Sequence, residues 1–386
     1  MTYAETVFKP DVESKATWIE LDASALRQNA LYIKRFLSPH TSLLAVVKAN
    51  AYGHGIREVA QVLSKEVSFF GVATIDEAIL LRKNEITTPI LVFGSLTPEE
   101  IELAISAKIS LAVSSFETAK QISTCAEHLK KRALIHIKID TGMGRLGIPA
   151  REALKIIPKI YILKGIDLEG VFTHFAQGEI PDDLFTQYQI ETFKTLLGNL
   201  TQLGIEFPFC HATNSAGTFN YKEAHFNLVR SGLLLYGIDP SGEWMGDSAR
   251  EIQPILSWRA RISLIKQIES GESVGYGRTF VAEKNTFIAV IPVGYSHGYP
   301  FSLSNKGMVL VRGKLCPVIG RVSMDFVTVD LGPMTRNINV NESVTILGEE
   351  AGERITCEML AEKAGTIPYE IVTRLNPQIS RVVVNE

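Results

Sequence analysis

Charged and polar side chains recur just after short apolar runs in the first 240 residues of this chain. They include two lysines, two arginines and two histidines, and the full set is Lys48, Tyr52, Lys138, Asp140, Arg145, His174, His211, Asn214, Ser215 and Arg230, with Gly232 after the last of them. Because carboxylates are few among them, a ligand held by this set is expected to be anionic. A phosphorylated aldehyde such as pyridoxal phosphate meets that condition and can form a Schiff base with a lysine.

Lys48 is the first candidate for that lysine. Residues 43–47 before it form a continuous apolar, partly β-branched run, which is typical of a strand buried on both faces. Burial lowers the pKa of an ammonium group, so a lysine at the mouth of such a strand is a candidate nucleophile. The alternative is a lysine that extends its head group into solvent at a strand end. Position alone leaves both interpretations open.

The elements that must position these side chains follow from the alternation of apolar runs with helical segments. The runs lie at residues 43–47, 69–73, 90–93, 109–113, 134–139, 168–173, 207–211 and 227–229. Most of the segments between them have apolar residues at helical spacing, as do residues 25–36 and 56–64. Strands joined by helical crossovers are parallel, and eight of them close a (β/α)8 barrel. The chemistry of such a barrel lies at the carboxyl ends of its strands.

An open doubly wound sheet is the alternative arrangement of parallel strands. It usually has a glycine-rich first turn. The Gly-x-Gly pairs at 53–55 and 142–144 lack a third glycine, so they indicate such a turn only weakly.

Beyond about residue 240 the apolar runs are separated by turn clusters instead of helices. They lie at residues 255–265, 287–293, 308–312, 316–319, 327–331 and 344–347, and only residues 358–364 have a helical pattern. This texture predicts a mainly antiparallel β domain. The expected division is an N-terminal lead at 1–15 that could pack on the β domain, a barrel at 16–245, and the β domain at 246–386. A loop is expected at 241–247.

Composition narrows the class of partner. Lys and Arg total 39 against 42 for Asp and Glu, so the net charge of -3 provides no field for nucleic acid or anionic lipid. The four cysteines lack C-x-x-C spacing, which disfavours a zinc site or a disulfide framework and favours a reducing compartment. The sequence shows neither an apolar leader nor a run long enough to span a membrane. We therefore expect a cytoplasmic protein that binds a small molecule, without metal, nucleic acid or membrane partners.

Nine motifs, in order and over nearly the whole chain, resemble those of the bacterial alanine racemase family. They are VVKANAYGHG, IKIDTGMGRLG, THFA, HATNSAG, VRSGLLLYG, GYGRTF, PVGYSHGYP, GRVSMDF and TIPYE. That family joins a (β/α)8 barrel to a β domain, depends on pyridoxal 5'-phosphate, and works as a homodimer whose active site draws on both subunits. The resemblance implies the same fold, cofactor and assembly for this chain.

The resemblance also implies two catalytic residues on opposite faces of the substrate. Lys48 would hold the cofactor and act as one base, and Tyr276 of the partner subunit would act as the other. The phenolate of Tyr276 would need cationic neighbours, for which His174 and Arg230 are the candidates. Arg230 would in addition face the pyridine nitrogen, which then stays unprotonated because a guanidinium can only donate hydrogen bonds.

Further residues receive binding roles from the same resemblance. The groups expected at the cofactor phosphate are Tyr52, Ser215, the backbone amides near Gly232, and Tyr369. Arg145 and the main-chain amide of Met324 would orient the substrate. Lys138 stands where many members carry a carbamylated lysine that pairs with the arginine. Side chains expected to support the site or its entrance are His211, Asn214 and Tyr295.

Three positions depart from the usual residues of the family. Ser323 stands where a cysteine is frequent, His297 where an aspartate is frequent, and Ser231 where a proline is frequent. None of them removes a proposed catalytic group. They leave the entry corridor and the substrate preference open.

The implied activity is racemisation of alanine by Lys48 and Tyr276, which would supply D-alanine for peptidoglycan. Tyr295 and Tyr369 would limit the size of the substrate side chain. One alternative is a racemase of broader range, for example toward serine, or a related barrel-type decarboxylase. An alternative of a different class is a non-catalytic carrier of pyridoxal phosphate. Such single-domain carriers lack the second domain that holds Tyr276 and Met324.

Overall fold

The structure is a computed structural model that describes residues 12–239, 251–332 and 338–386. The chain divides into two compact units. Among the described residues, the barrel unit comprises 26–52, 56–239 and 251–253, and the sheet unit comprises 12–25, 53–55, 254–332 and 338–386. The expected loop at 241–247, the boundary at 245/246 and residues 1–11 of the lead lie outside the described residues. The expected domain limits therefore stay a prediction.

The first strand, β1 (Thr17–Asp22), belongs to the sheet unit and is followed by helix α1 (Ala23–Arg35). The Asp22 Oδ1 accepts a hydrogen bond from the Ala25 backbone N at 2.8 Å, as expected of a residue that caps a helix N-terminus. The structure places β1 in the sheet unit because both of its partner strands lie in the C-terminal part of the chain.

Eight parallel strands form the sheet of the barrel unit. They are β2 (Ser42–Val46), β3 (Phe69–Val72), β4 (Ile90–Val92), β5 (Ser110–Val113), β6 (Ala133–Asp140), β8 (Ile166–Phe172), β9 (Phe209–His211) and β10 (Leu228–Ser231), with the short β7 (Ile148–Pro149) beside β6. Their order is β10-β2-β3-β4-β5-β6-β8-β9. The sheet is a nearly closed barrel, and the prediction of a (β/α)8 fold is confirmed.

The Asn227 side chain bridges the gap between the two outer strands. It accepts a hydrogen bond from the Cys210 backbone N at 2.7 Å and donates one to the Pro208 carbonyl at 2.7 Å. An amide can do both at once because it carries a donor and an acceptor. The bridge joins the segment of β9 to the start of β10 where regular strand pairing stops.

Helices alternate with the barrel strands. They are α2 (Ile56–Leu63), α3 (Ile75–Lys83), α4 (Pro98–Ser106), α5 (Phe116–Leu129), α6 (Ala150–Tyr161), α7 (Leu184–Gln202) and α8 (Ser215–Asn220). Five of these begin after a side chain that accepts a backbone N–H: Thr74, Thr97, Ser115, Asp183 and Asn214. Such caps satisfy donors that a helix N-terminus leaves without partners. Helix α8 is too short for a periodic pattern, and the sequence reasoning missed it.

The sheet unit contains a ten-stranded sheet and a small hairpin. Its strands after β10 are β11 (Leu256–Arg261), β12 (Leu264–Ile268), β13 (Ser273–Val274), β14 (Phe280–Val281), β15 (Thr286–Ile291), β16 (Met308–Val311), β17 (Lys314–Ile319), β18 (Val327–Gly332), β19 (Ser343–Glu350), β20 (Glu353–Ile355) and β21 (Ser380–Val384). The main order is β12-β15-β18-β17-β16-β19-β11-β1-β21, with β20 paired to β19 and β13 paired to β14. Among the described strands of this unit, only β1 and β21 pair in parallel, so the predicted mainly antiparallel domain is confirmed.

Two helices accompany this sheet, α9 (Cys357–Ala364) and α10 (Pro368–Thr373). The sequence reasoning expected only the first. The second contains the β-branched residues Ile371, Val372 and Thr373, which lower helix propensity and hide a helix of six residues from pattern reading. None of the helices described in the structure is long and apolar enough to cross a membrane.

Candidate active site

Lys48 begins a turn of left-handed backbone one residue beyond the end of β2 at Val46. The turn spans Lys48–Tyr52, and its last four residues have φ angles between 52° and 54°. For residues with a side chain, this conformation costs roughly 1–2 kcal/mol each. Four in succession persist only where the surrounding structure supports them, and such strain is concentrated at functional sites.

The support comes from Asn50 and Glu77. The Asn50 Oδ1 accepts a hydrogen bond from the Ile56 backbone N at 2.9 Å, and the Asn50 backbone N donates to the Glu77 Oε1 at 3.2 Å. The other carboxylate oxygen of Glu77 accepts from the Ala73 backbone N at 2.9 Å. These bonds fix the turn, with Lys48 at its start and Tyr52 at its end. The sequence reasoning found both ends and missed the two residues that hold the turn.

A cluster of cations surrounds Lys48 at the carboxyl ends of the barrel strands. Burial and, next, the Arg145 guanidinium lower the pKa of Lys48. Burial also lowers the pKa of Lys138 to about 8, helped by the charges of Arg145, Arg230 and Lys48. Since each cation disfavours protonation of its neighbours, an anionic ligand would stabilise the whole cluster. The expected convergence of basic groups is thus present within the barrel unit.

Arg230 occupies a fixed position in this cluster. Its Nη1 lies 2.9 Å from His211 Nδ1. Its Nη2 donates to the carbonyls of Thr173 and Ala212, both at 2.9 Å, and lies 3.1 Å from His174 Nδ1. Burial lowers the pKa of Arg230 to about 9, so the guanidinium stays charged at neutral pH. It is a cation whose orientation is set by four acceptors.

His174 differs from the expectation that it is a cation. Burial, followed by the charge of Arg230, lowers the pKa of His174 well below its usual value. The imidazole is therefore neutral at neutral pH, with Nδ1 as the acceptor toward Arg230. A neutral imidazole whose Nδ1 accepts carries its proton on Nε2. His174 can still donate a hydrogen bond through Nε2, but the positive charge of the pair resides on Arg230.

Three of the groups expected at a phosphate meet at one point of the barrel unit. The Ser215 Oγ accepts a hydrogen bond from the Gly232 backbone N at 2.8 Å. A Cβ atom added to Gly232 would lie 2.8 Å from the Tyr52 Oη, so only glycine leaves the space between them open. Ser215 is the first residue of α8, and Asn214 caps that helix by accepting from the Gly217 N at 2.9 Å. Hydroxyls, a close backbone approach and a helix start suit an anion.

The remaining expected residues lie in the sheet unit. Tyr276 follows β13 and is 73% exposed, and Met324 is 55% exposed. The Tyr295 backbone N donates to the Ser323 carbonyl at 3.1 Å, so the segments of Tyr295 and Met324 are adjacent. Tyr369 is half-buried in α10. That these residues form one site with the barrel cluster stays a prediction.

The three departures from the family pattern have local structural roles or none. Ser323 replaces cysteine in a turn, where its Oγ donates to the Phe326 carbonyl at 2.8 Å. The His297 Nδ1 accepts from the Gly294 backbone N at 3.2 Å, as an aspartate could. The Ser231 Oγ is buried and has no hydrogen-bond partner among the described residues.

The sequence reasoning also missed His136 and Glu169. His136 and Lys138 are two residues apart on β6, so the period of a strand places both side chains on one face. That alternation was the available signal. Among the residues that the structure describes, no group of three or more His, Cys, Asp or Glu side chains could hold a metal ion.

The lowered pKa of Lys138 predicts a specific reactivity. With a pKa of about 8, roughly a tenth of the amine is neutral at pH 7, against far less for an exposed lysine. We expect Lys138 to take up carbon dioxide as a carbamate, because the negative carbamate would relieve repulsion from Arg145. Labelled bicarbonate should produce a carbamate carbon signal by NMR that strengthens between pH 7 and 8. A signal that persists in Lys138→Ala, or none in the wild type, would contradict this assignment.

A nearly closed parallel barrel with a partly buried lysine among cations, followed by a mainly antiparallel domain, defines a class of two-domain barrel proteins whose barrel site suits an anionic ligand. Residues 21–240 match the alanine racemase N-terminal domain, and residues 255–383 match the alanine racemase C-terminal domain. The chain belongs to the alanine racemase family.

Relatives and solved structures agree with this assignment. The alanine racemase of Methanococcus maripaludis is 39% identical over 374 residues, which cover 96% of this chain and 100% of that protein. The alanine racemase structure of Clostridium difficile 630 superposes with a TM-score of 0.92 at 35% identity, over 97% of each chain. That of Bartonella henselae, with covalently bound pyridoxal phosphate, has a TM-score of 0.84 at 28% identity, over 96% of this chain and 100% of that one.

Proposed function

We propose that this protein is an alanine racemase that interconverts L-alanine and D-alanine with pyridoxal 5'-phosphate as its cofactor. The observation that carries the proposal is the position of Lys48 at the carboxyl end of β2, close to the charges of Arg145 and Arg230; burial and, next, Arg145 lower its pKa. A lysine that loses its proton readily can attack an aldehyde and later exchange protons with a substrate. The match to the family over both domains supports the same activity.

The described residues fit this cofactor. Lys48 would hold its aldehyde carbon, and the Ser215 Oγ, the Gly232 backbone N and the Tyr52 Oη would surround its phosphate. When bound, the cofactor would withdraw electrons from the substrate Cα and so acidify its proton. Arg230, as a charged group with donors only, would leave the ring nitrogen unprotonated. This weakens electron withdrawal and disfavours side reactions such as transamination.

Two residues of this chain would move the proton. The Lys48 amine would take or return the Cα proton on one face, and the Tyr276 Oη would do so on the other. Inversion requires groups on both faces, since a single base returns the proton to the side from which it came. Arg145 and the Met324 amide would orient the substrate, while Tyr295 and Tyr369 would limit its side chain to a small size.

The assembly we propose is a homodimer in which Tyr276 serves the site of the partner subunit. Its support is the exposure of Tyr276 together with other large apolar side chains of the sheet unit. These are 46% to 55% exposed and comprise Tyr295, Phe301, Met324 and Phe326. Exposed apolar groups of this number suit a covered surface better than one in water. A cytoplasmic role in supplying D-alanine is also proposed, supported by four cysteines that are all free.

The test is an incubation of the wild-type protein with L-alanine in deuterated water. We expect D-alanine to form with deuterium at Cα, because the proton from L-alanine exchanges with solvent at the two bases. Parallel reactions with L-serine and a measurement of released carbon dioxide separate a broad-range racemase and a decarboxylase from the proposed activity. Protein stripped of cofactor is the control. Absence of conversion by the loaded protein would refute the proposal.

A further inference from the structure

A chain of hydrogen bonds runs from Arg230 through two buried histidines to a carboxylate. The His211 Nδ1 lies 2.9 Å from Arg230 Nη1, and the His211 Nε2 lies 2.8 Å from His136 Nδ1. The His136 Nε2 lies 3.0 Å from the Glu169 Oε2. The same carboxylate oxygen accepts a hydrogen bond from the Ser110 Oγ. His136 and His211 are both fully buried, so solvent water does not compete for these hydrogen bonds.

The two ends of this chain dictate the direction of every bond in it. Arg230 can only donate, so His211 Nδ1 must accept, and a neutral His211 then carries its proton on Nε2. That proton points at His136 Nδ1, which must accept in turn. His136 therefore carries its proton on Nε2 and donates to Glu169. The carboxylate, which can only accept, closes the chain without a conflict.

The charges agree with this assignment. Burial lowers the pKa of His136, and burial followed by the charge of Arg230 lowers the pKa of His211 well below its usual value, so both rings are neutral. Burial alone would raise the pKa of Glu169, but the hydrogen bonds from His136 and Ser110 outweigh it and the pKa is lowered. Glu169 is thus an anion at neutral pH, and its charge faces Arg230 across two neutral imidazoles.

Packing holds the imidazole rings of His136 and His211 in these positions. A Cβ atom added to Gly170 would lie 2.3 Å from His136 Nδ1, so glycine at this position makes room for the ring. The His136 ring stacks on Phe209 at an interplanar angle of 8°, and the His211 ring stacks on Phe172 at 3°. Stacking on aromatic rings holds each imidazole ring in place. The proton can still move between the two ring nitrogens.

We propose that Glu169 and His136 are positioning residues for the racemase reaction, which set the tautomer of His211 and thereby hold Arg230 in its orientation. Without the Glu169 acceptor, His136 and His211 can each carry the proton on Nδ1. His211 then points an N–H at the Arg230 guanidinium, two donors face each other, and Arg230 shifts. The proposal rests on the proposed function only for its catalytic consequence, since the tautomers are a property of the protein with or without turnover.

The primary measurement is the tautomer of each ring, by NMR of the protein labelled with nitrogen-15 in histidine and carrying its cofactor. We expect His136 and His211 both to have the proton on Nε2. An Nδ1–H on either ring in the wild type would overturn the proposal, whatever the variants do. This readout does not depend on racemase activity, so failure of the proposed function would be visible separately as a loaded protein without turnover.

Variants at Glu169 test the consequence. In Glu169→Leu, which has no acceptor, we expect mixed tautomers of both histidines and a fall in kcat of about tenfold with little change in KM. Glu169→Gln keeps an acceptor oxygen, so the original tautomers and most of kcat should return. Asp167→Asn on the same strand, whose carboxylate bonds Arg132 instead, is the matched control.

Gly170→Ala is a second, independent test of the proposal. The added methyl should displace the His136 ring while Glu169 stays intact, and should reproduce the kcat and tautomer changes of Glu169→Leu. Unchanged tautomers and kcat in both variants would overturn the proposal. A loss of thermal stability alone, with wild-type tautomers in the protein that remains folded, would also overturn the proposal. It would give these hydrogen bonds a structural role only.

Discussion

Lys48→Ala is expected to abolish racemisation, with kcat lowered by at least about 10⁴-fold. Two functions are lost together, since the amine that would hold the cofactor is also the base for one face of the substrate. Burial and the charge of Arg145 lower the pKa of Lys48, which favours the neutral amine that both functions require. The absorption spectrum of the purified protein measures the loss of the held cofactor, and D-alanine formation from L-alanine measures the loss of turnover.

Lys164→Ala is the matched control for this variant, because Lys164 is an exposed lysine of the same unit. It should retain wild-type turnover and cofactor content. Conversion of alanine by Lys48→Ala at more than a small fraction of the wild-type rate would remove that lysine from the mechanism. Retention of the cofactor without turnover would instead limit the role of Lys48 to proton transfer.

Tyr276→Phe is expected to lower racemisation by about 10³-fold, while the Cα proton of one antipode still exchanges with solvent. Only the hydroxyl is removed, so the aromatic ring keeps its packing. Lys48 remains and continues to exchange the proton on its own face, which we expect to be that of D-alanine. Deuterium incorporation into each antipode, followed separately in deuterated water, distinguishes a lost base from a protein that is inactive throughout.

Mixing the two inactive variants tests whether the site is shared between subunits. In a mixed dimer of Lys48→Ala and Tyr276→Phe, one site would contain both native residues and the other would contain neither. Random reassociation of equal amounts makes half of the dimers mixed, so activity should recover to about a quarter of the wild-type value. No recovery after verified subunit exchange would mean that both residues act from the same chain, and the shared site would be wrong.

Local patterns in the sequence were sufficient for the barrel and for most of its cluster of cations. A strand buried on both faces is a continuous apolar run, and a helix packed on one face is periodic, so neither needs knowledge of its neighbours. The strands then bring Lys48, Lys138 and Arg230 to one end of the barrel, because parallel strands share the direction of their carboxyl ends. Resemblance to the family supplied the role of Tyr276, which no local pattern distinguishes from a turn residue.

Other features depend on partners that are distant in the chain. The Thr17 Oγ1 of β1 donates to the Arg259 carbonyl across 242 positions, and pairing with this distant strand places β1 in the sheet unit. The left-handed turn after Lys48 depends on Glu77, whose carboxylate joins two segments that are separated in sequence. Neither contact produces a periodic pattern in the sequence around its residues.

The sequence by itself therefore determined which elements form and which chemical groups stand at their ends. The tertiary structure decided the charge and direction of those groups. His174 has the residue type of a cation but is neutral, because burial and the charge of Arg230 oppose its protonation. Glu169 and His136 acquire a connection to Arg230 only where β6, β8, β9 and β10 bring four side chains within hydrogen-bond distance. Residue type is local, whereas protonation and hydrogen-bond direction depend on what packs around a group.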